Sequence, residues 1–174
     1  MTQEPADFCP YCGTRLTSRR IDGQDRKYCA DCDRPIFHNP VPCTDVTVVD
    51  GDQALFIERA APPGAGEWTV PGGHVEADEH PRDAAVRELR EETSVSAEPE
   101  HLTLVETDLL DSTRGKYVLN VGFAVPVAET TGTPTAKSDA ADARFFSLDE
   151  VAAAAGHEFR SHVSDRIEAA LDAL

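Results

Sequence analysis

Lysine is nearly missing from this chain of 174 residues: only Lys27, Lys116 and Lys137 occur, and the other basic residues are arginine. Set against 32 acidic residues, the 16 basic ones leave a formal net charge of -16. The imbalance is spread along the chain instead of gathered in a tail, which argues against a disordered acidic segment. Such a surface repels itself at low salt and is tolerated when ions screen it, so a salt-accumulating, halophilic source is expected. Long apolar runs are absent as well. No stretch approaches the ~20 residues that a membrane span needs, and the opening Met-Thr-Gln-Glu-Pro has neither the basic region nor the apolar core of a signal peptide. A cytoplasmic protein with no membrane partner is expected. Hydrophobic content of 40% suffices for a core, and the length suits one full domain with a small appendage.

The five cysteines are concentrated at one end. Cys9-Pro-Tyr-Cys12 and Cys29-Ala-Asp-Cys32 are two CxxC pairs, a spacing that reads as a four-cysteine zinc ribbon over residues 1–38. Four thiolates complete a tetrahedron and leave no open position, so the zinc is expected to be structural. A piece this small buries too little surface to fold alone, and metal binding of roughly 10–16 kcal/mol supplies the difference. Disulfides are the rival reading, one that an intracellular chain seldom adopts. Cys43 lies outside the tetrad and is expected to be a small apolar packing residue. Between residues 8 and 38, Arg15, Arg19, Arg20, Arg26, Lys27 and Arg34 face four aspartates, leaving +2 before the thiolates are counted. The segment is therefore near neutral in an acidic chain. It is read as a structural module or an oligomer contact, with a homodimer open, and nucleic acid is not the expected partner.

The stretch that organises the remainder, residues 39–174, is 71 to 95. A glycine turn leads into a helix expected to begin near Pro81, since proline's missing N–H is not needed at the first helical position. At about 100° per residue, Glu88, Glu91 and Glu92 share one sector of that helix, and Ala85, Val86, Leu89 and Thr93 form the adjoining apolar stripe. Three carboxylates on one face repel one another, a penalty that a hard divalent cation such as Mg²⁺ or Mn²⁺ removes. Arg87, four residues before Glu91, can steady part of the cluster. Gly73, Glu79 and the run Arg87-Glu88-Leu89-Arg90-Glu91-Glu92-Thr93-Ser94-Val95 fall at the spacing of the Nudix box: glycine, five residues, glutamate, seven residues, then Arg-Glu-apolar-any-Glu-Glu-any-Gly-apolar. Every position matches except Ser94, which stands where the family has glycine after the helix.

The chain thus resembles a Nudix hydrolase, and the ribbon before it is similar to the zinc-ribbon subgroup of ADP-ribose, FAD and NADH pyrophosphatases. The resemblance implies an α/β/α sandwich with a mixed sheet and hydrolysis of a nucleoside diphosphate linkage by water attack on phosphorus. By position it implies that the Gly73 carbonyl, Glu88 and Glu92 are ligands of Mg²⁺ or Mn²⁺, with Glu91 as ligand or water-positioning group. Glu79 takes the place of the more distant box carboxylate and Arg87 that of the group orienting the cluster. A late acid serves as base in some members, for which Asp142, with Asp139 second, is the candidate. The stretch Gly66-Glu67-Trp68 fits the family's segment before the box, and Trp68 alone reads as core. The Ser-Gln-Pro-Trp-Pro-Phe-Pro motif of NADH pyrophosphatases is absent; Leu-Leu-Asp-Ser-Thr-Arg-Gly occupies residues 109 to 115 instead. ADP-ribose or FAD then leads as substrate, with NADH or a nucleoside triphosphate as alternatives. A ligand-sensing regulator that uses the ribbon on nucleic acid is the alternative of another class, disfavoured because the box carboxylates are intact. Arg59, Arg114 and Lys116 are candidate phosphate contacts.

Pattern reading places a hairpin of strands at 45–49 and 53–59, a short strand at 68–71, and strands at 101–108 and 117–127. A loop is expected at 129–136, a helix at 150–155 capped by Asp149, and a closing helix from about 158 to 174. His157 and His162 are expected to be surface or packing residues.

Overall fold

The computed structural model describes residues 4–112, 116–154, 156–161 and 163–174; Arg114 and His162 lie outside them. The chain divides into two compact units, one of residues 1–41 with 109–119, the other of 42–108 with 120–174.

The first unit contains a three-stranded antiparallel sheet of β1 (Thr17–Ile21), β2 (Gln24–Cys29) and β3 (Arg34–Ile36). Its core is small: Cys9, Leu16 and Cys29 are buried, with Cys32 and Ile36 packed against them. Arginines lie over four aromatic rings of this unit, Arg15 on Phe8, Arg19 on Tyr28, Arg26 on Phe37 and Arg34 on Tyr11.

The larger architecture runs β4 (Val41–Asp50), β5 (Gln53–Arg59), β6 (Glu67–Thr69), β7 (Gly72–His74), α1 (Pro81–Thr93) and β8 (Ser96–Ala97). It continues with β9 (Thr103–Ser112), β10 (Lys116–Pro126), β11 (Thr130–Thr131) and β12 (Ala140–Ser147), then α2 (Leu148–Ala153), β13 (Glu158–Phe159) and α3 (Val163–Ala173). Eight strands form one mixed sheet in the order β13-β6-β5-β4-β10-β9, with β12 paired to β5 and β7 to β4. Strand alternation gives this sheet two apolar faces. Val46, Val48, Leu55 and Phe123 meet Ala85 and Leu89 of α1. Ala54, Phe56, Trp68 and Phe146 meet Val151 of α2 and Val163 and Ile167 of α3. Helices on both faces of a mixed sheet make the expected α/β/α sandwich. Among the described residues, no helix is long and apolar enough to cross a membrane.

Several element bounds depart from the sequence pattern. The strand expected from 101 begins at Thr103, because Pro99–His101 closes a 3₁₀ turn first. The loop expected at 129–136 contains β11, which pairs with β8. The cap of α2 is Ser147, whose hydroxyl accepts from the Glu150 N–H while the Glu150 carboxylate accepts from the Ser147 N–H; Asp149 lies inside the first turn. This reciprocal box satisfies two donors at once, which a lone Asp149 cap does not. The closing helix begins at Val163, since Glu158–Phe159 runs parallel to β6. His157 packs edge-on against Trp68 and Phe146.

Candidate hydrolase site and cysteine cluster

α1 is defined at both ends by local chemistry. Pro81 occupies the first turn and the His80 ring nitrogen accepts from the Arg82 N–H. At the other end Ser94 takes the left-handed conformation, φ 63°, and its N–H reaches the Arg90 carbonyl. Serine adopts here the backbone that glycine accepts without cost. Ala84, Ala85, Leu89 and Thr93 of the helix are buried, while Val86 is only partly covered.

The carboxylates do not share one environment. Glu92 is 2% exposed and accepts from the Gly72 N–H at 2.9 Å. Burial, offset in part by that hydrogen bond and reinforced by Asp139 and Glu88, pushes its carboxyl up to about 8. Glu88 is raised too, first by burial. Glu91 is half exposed and lies 3.6 Å from Arg87. Arg87 is the organiser. Its Nε and Nη2 donate to the two oxygens of Glu79 at 2.8 and 2.9 Å, Nη1 donates to Glu88 at 2.8 Å, and Nη2 also reaches the His74 carbonyl at 2.9 Å. Glu79, held by that fork, stays below the usual carboxylate range and also receives the Glu76 N–H.

Gly73 touches the cluster directly: a Cβ there would lie 2.3 Å from a Glu88 oxygen, so only a residue without one leaves the carboxylate its place. A buried and a partly buried carboxylate, both raised first by desolvation and both raised further by Asp139, beside a backbone cradle and with only oxygen donors, suit a hard divalent cation.

The late acids separate. Asp142 is bound to Arg144 and to its neighbour's amide, and Arg144 holds its carboxyl low. Asp139, in the loop before β12, is the one whose charge raises both Glu88 and Glu92. That loop is laid along the end of α1 by the Lys137 N–H to the Glu92 carbonyl and the Thr135 N–H to the Thr93 carbonyl.

The four cysteines of the ribbon converge, with every sulfur within 4.8 Å of the others and closer pairs at 3.4 and 3.9 Å. Tetrahedral zinc–sulfur bonds of about 2.3 Å place sulfurs about 3.8 Å apart. Cys12 is drawn down to about 6, first by Thr14, whereas Cys32 is pushed up to about 12, first by its bond to Cys12. Four thiols at this distance cannot all ionise without a cation among them, so the residues fit zinc. Cys43 stands apart, half-buried opposite His74, with burial pushing its thiol up to about 11.

A NUDIX domain model matches residues 40–167. The chain belongs to the Nudix family. This Nudix hydrolase is 30% identical over 140 residues to an ADP-ribose pyrophosphatase of Methanocaldococcus jannaschii, covering 80% of this chain and 78% of that one. It is 32% identical over 115 residues to the phosphatase NudJ of Escherichia coli K12, covering 66% and 71%. A Nudix hydrolase structure from Nitrosomonas europaea shares the fold at a TM-score of 0.72 and 20% identity, covering 94% and 89%.

Of the candidate phosphate contacts, Arg59 donates to the Pro63 carbonyl and acts on Glu92 electrostatically, and Lys116 lies 3.7 Å from Glu4. The pattern reading missed one buried group in the Nudix hydrolase, Arg166 with Asp45. Its signal was available: Arg166 falls at the core spacing of Val163, Ile167 and Ala170 on α3, where a charge requires partners.

Proposed function

We propose that the protein hydrolyses the diphosphate linkage of a nucleoside diphosphate derivative, with ADP-ribose the leading substrate and FAD next. The placement of Glu92 carries this reading: a buried carboxylate, crowded by Glu88 and Asp139 and tied to the Gly72 amide beside the Gly73 carbonyl. The similarity to an ADP-ribose pyrophosphatase supports the substrate class. NADH and nucleoside triphosphates stand behind it.

In this mechanism Glu88, Glu92 and the Gly73 carbonyl hold Mg²⁺ or Mn²⁺, with Glu91 at the exposed side. When bound, the cation neutralises the diphosphate, lowers the pKa of a coordinated water and stabilises the departing oxygen. Arg87 keeps Glu88 and Glu79 in register, and Glu79 braces the loop through the Glu76 amide. Phosphoryl transfer asks mostly for positioning and electrostatics, which this frame supplies. Asp139 takes the proton of the attacking water in this reading, supported by the action of its charge on both Glu88 and Glu92. Asp142, committed to Arg144, is second. The four cysteines hold structural zinc, with residues 1–38 as the ribbon and 39–174 as the hydrolase domain.

The test is product release from ADP-ribose, FAD, NADH, dinucleoside polyphosphates and nucleoside triphosphates, with Mg²⁺ or Mn²⁺ in molar KCl. ADP-ribose turnover that disappears in Glu92→Gln is the expected result. Turnover retained in a folded Glu92→Gln protein refutes the site. ADP-ribose binding without turnover of any member of the panel turns the reading to a ligand sensor.

A further inference from the structure

On the face of the sheet away from α1, one guanidinium is enclosed by carboxylates. Arg166 of α3 is 2% exposed. Its Nη1 is bonded to Asp45 Oδ2 of β4, its Nε lies 3.3 Å from Glu106 and its Nη2 3.5 Å from Asp108, both on β9. Asn120 of β10 donates to the same Asp45 oxygen at 3.0 Å. Burial lowers the guanidinium only to about 10, so it is charged at neutral pH. One cation against three carboxylates is an expensive way to fasten a helix, since apolar side chains of similar volume do that at no desolvation cost. What ionic hydrogen bonds add is direction. Arg166 Nη1 and Asn120 Nδ2 both donate to Asp45 Oδ2, fixing that oxygen between two directed bonds.

Asp45 is the residue on which the glycine strand rests. It pairs with Gly72 across β4 and β7, and the Val46 N–H to Pro71 and Val75 N–H to Pro42 bonds bracket that pairing. The strands touch so closely that a Cβ on Gly72 would lie 2.6 Å from Asp45 Cβ. On its other side β7 meets the site: the Gly72 N–H bonds Glu92 and Gly73 seats Glu88. A continuous chain of contacts therefore runs from Arg166 through Asp45 and β7 to the two carboxylates.

We propose that Arg166 is a positioning residue of the hydrolase site: through Asp45 it holds β7 at the height where Gly73, Glu88 and Glu92 together bind the divalent cation. The proposal rests on the reading of those three residues as the cation site. Partners that bond metal ligands directly are worth about 10- to 100-fold in metal affinity; Arg166 and Asp45 act through the β7 backbone, so the low end of that range is expected.

The test is Mn²⁺ binding by calorimetry to the zinc-loaded, nucleotide-free full chain in molar KCl, where exposed acidic groups are screened. The panel is wild type, Glu92→Gln, Asp45→Asn, Arg166→Met, Arg166→Lys and Ile167→Val, the last a buried control on the same helix. Native near-UV circular dichroism certifies each fold. Glu92→Gln should lose the strong site. Asp45→Asn and Arg166→Met should weaken Mn²⁺ about 10-fold, the low end of that range, Arg166→Lys should recover part of the loss, and Ile167→Val should lower Tm with Mn²⁺ affinity unchanged. Turnover in Asp45→Asn should return when Mn²⁺ is raised, with the nucleotide KM unmoved. Wild-type Mn²⁺ affinity in folded Asp45→Asn overturns the proposal even if Arg166→Met does not fold. Undiminished Mn²⁺ binding in Glu92→Gln overturns instead the site reading beneath it.

Discussion

At the scale of single residues, Glu92 is the most demanding side chain in the molecule. It is buried, raised by its neighbours and tied to one backbone amide. Glutamine preserves the shape and the bond from Gly72 but removes the charge a cation needs. Glu92→Gln should lower kcat by about 10³-fold or more, the scale at which a positioned charge acts in transition-state stabilisation, with circular dichroism unchanged. Ser94 gives an opposite case. Its φ of 63° strains any residue with a Cβ, and its hydroxyl offers only a long bond of 3.4 Å to the Thr135 carbonyl in return. Ser94→Gly should raise stability by about 0.5–1 kcal/mol in urea titration, the residue strain removed outweighing the glycine's greater unfolded entropy.

At the scale of elements, the box was legible because its information is periodic and local. Pro81 at the helix start, the apolar stripe and the three glutamates all follow from a 3.6-residue repeat, and α1 spans Pro81–Thr93 accordingly. The C-terminal third was less legible. Glu158–Phe159 reads as part of a helix by its spacing, yet it extends the sheet beside β6, where Phe159 joins the rings of Phe56 and Phe146. Tertiary packing overrode local propensity there. The same limit misassigned the cap of α2 to Asp149, because a box is recognised by two mutual bonds and not by one residue type. Ser147→Ala should cost about 1 kcal/mol of stability by urea titration, and Asp149→Ala markedly less.

At the scale of the whole molecule, charge and metal govern stability. With a net charge of -16, self-repulsion falls as ions screen it. Raising KCl from about 0.1 to 2 M should lift Tm by on the order of 10 °C, the equivalent of a few kcal/mol for a chain of this size. A flat Tm over that range would refute the halophile reading. Zinc removal is a local event by comparison. Chelation, or Cys32→Ser, should release the roughly 10–16 kcal/mol of metal binding that holds so small a core and unfold the ribbon. The fluorescence of Trp68, buried in the other unit, should remain native.

The sequence by itself determined the family, the zinc-type cysteine spacing and the identity of the box carboxylates. Each of these is written in short-range spacing, which covalent geometry and helix periodicity convert directly into position. The tertiary structure alone decided which carboxylate is buried and which exposed, that the charge of Asp139 acts on Glu88 and Glu92 while Asp142 is occupied by Arg144, and that Arg166 closes on Asp45 from 121 residues away. Those outcomes depend on desolvation and on contacts between distant strands and helices. Neither quantity exists until the sheet has formed and water has been excluded from between its layers.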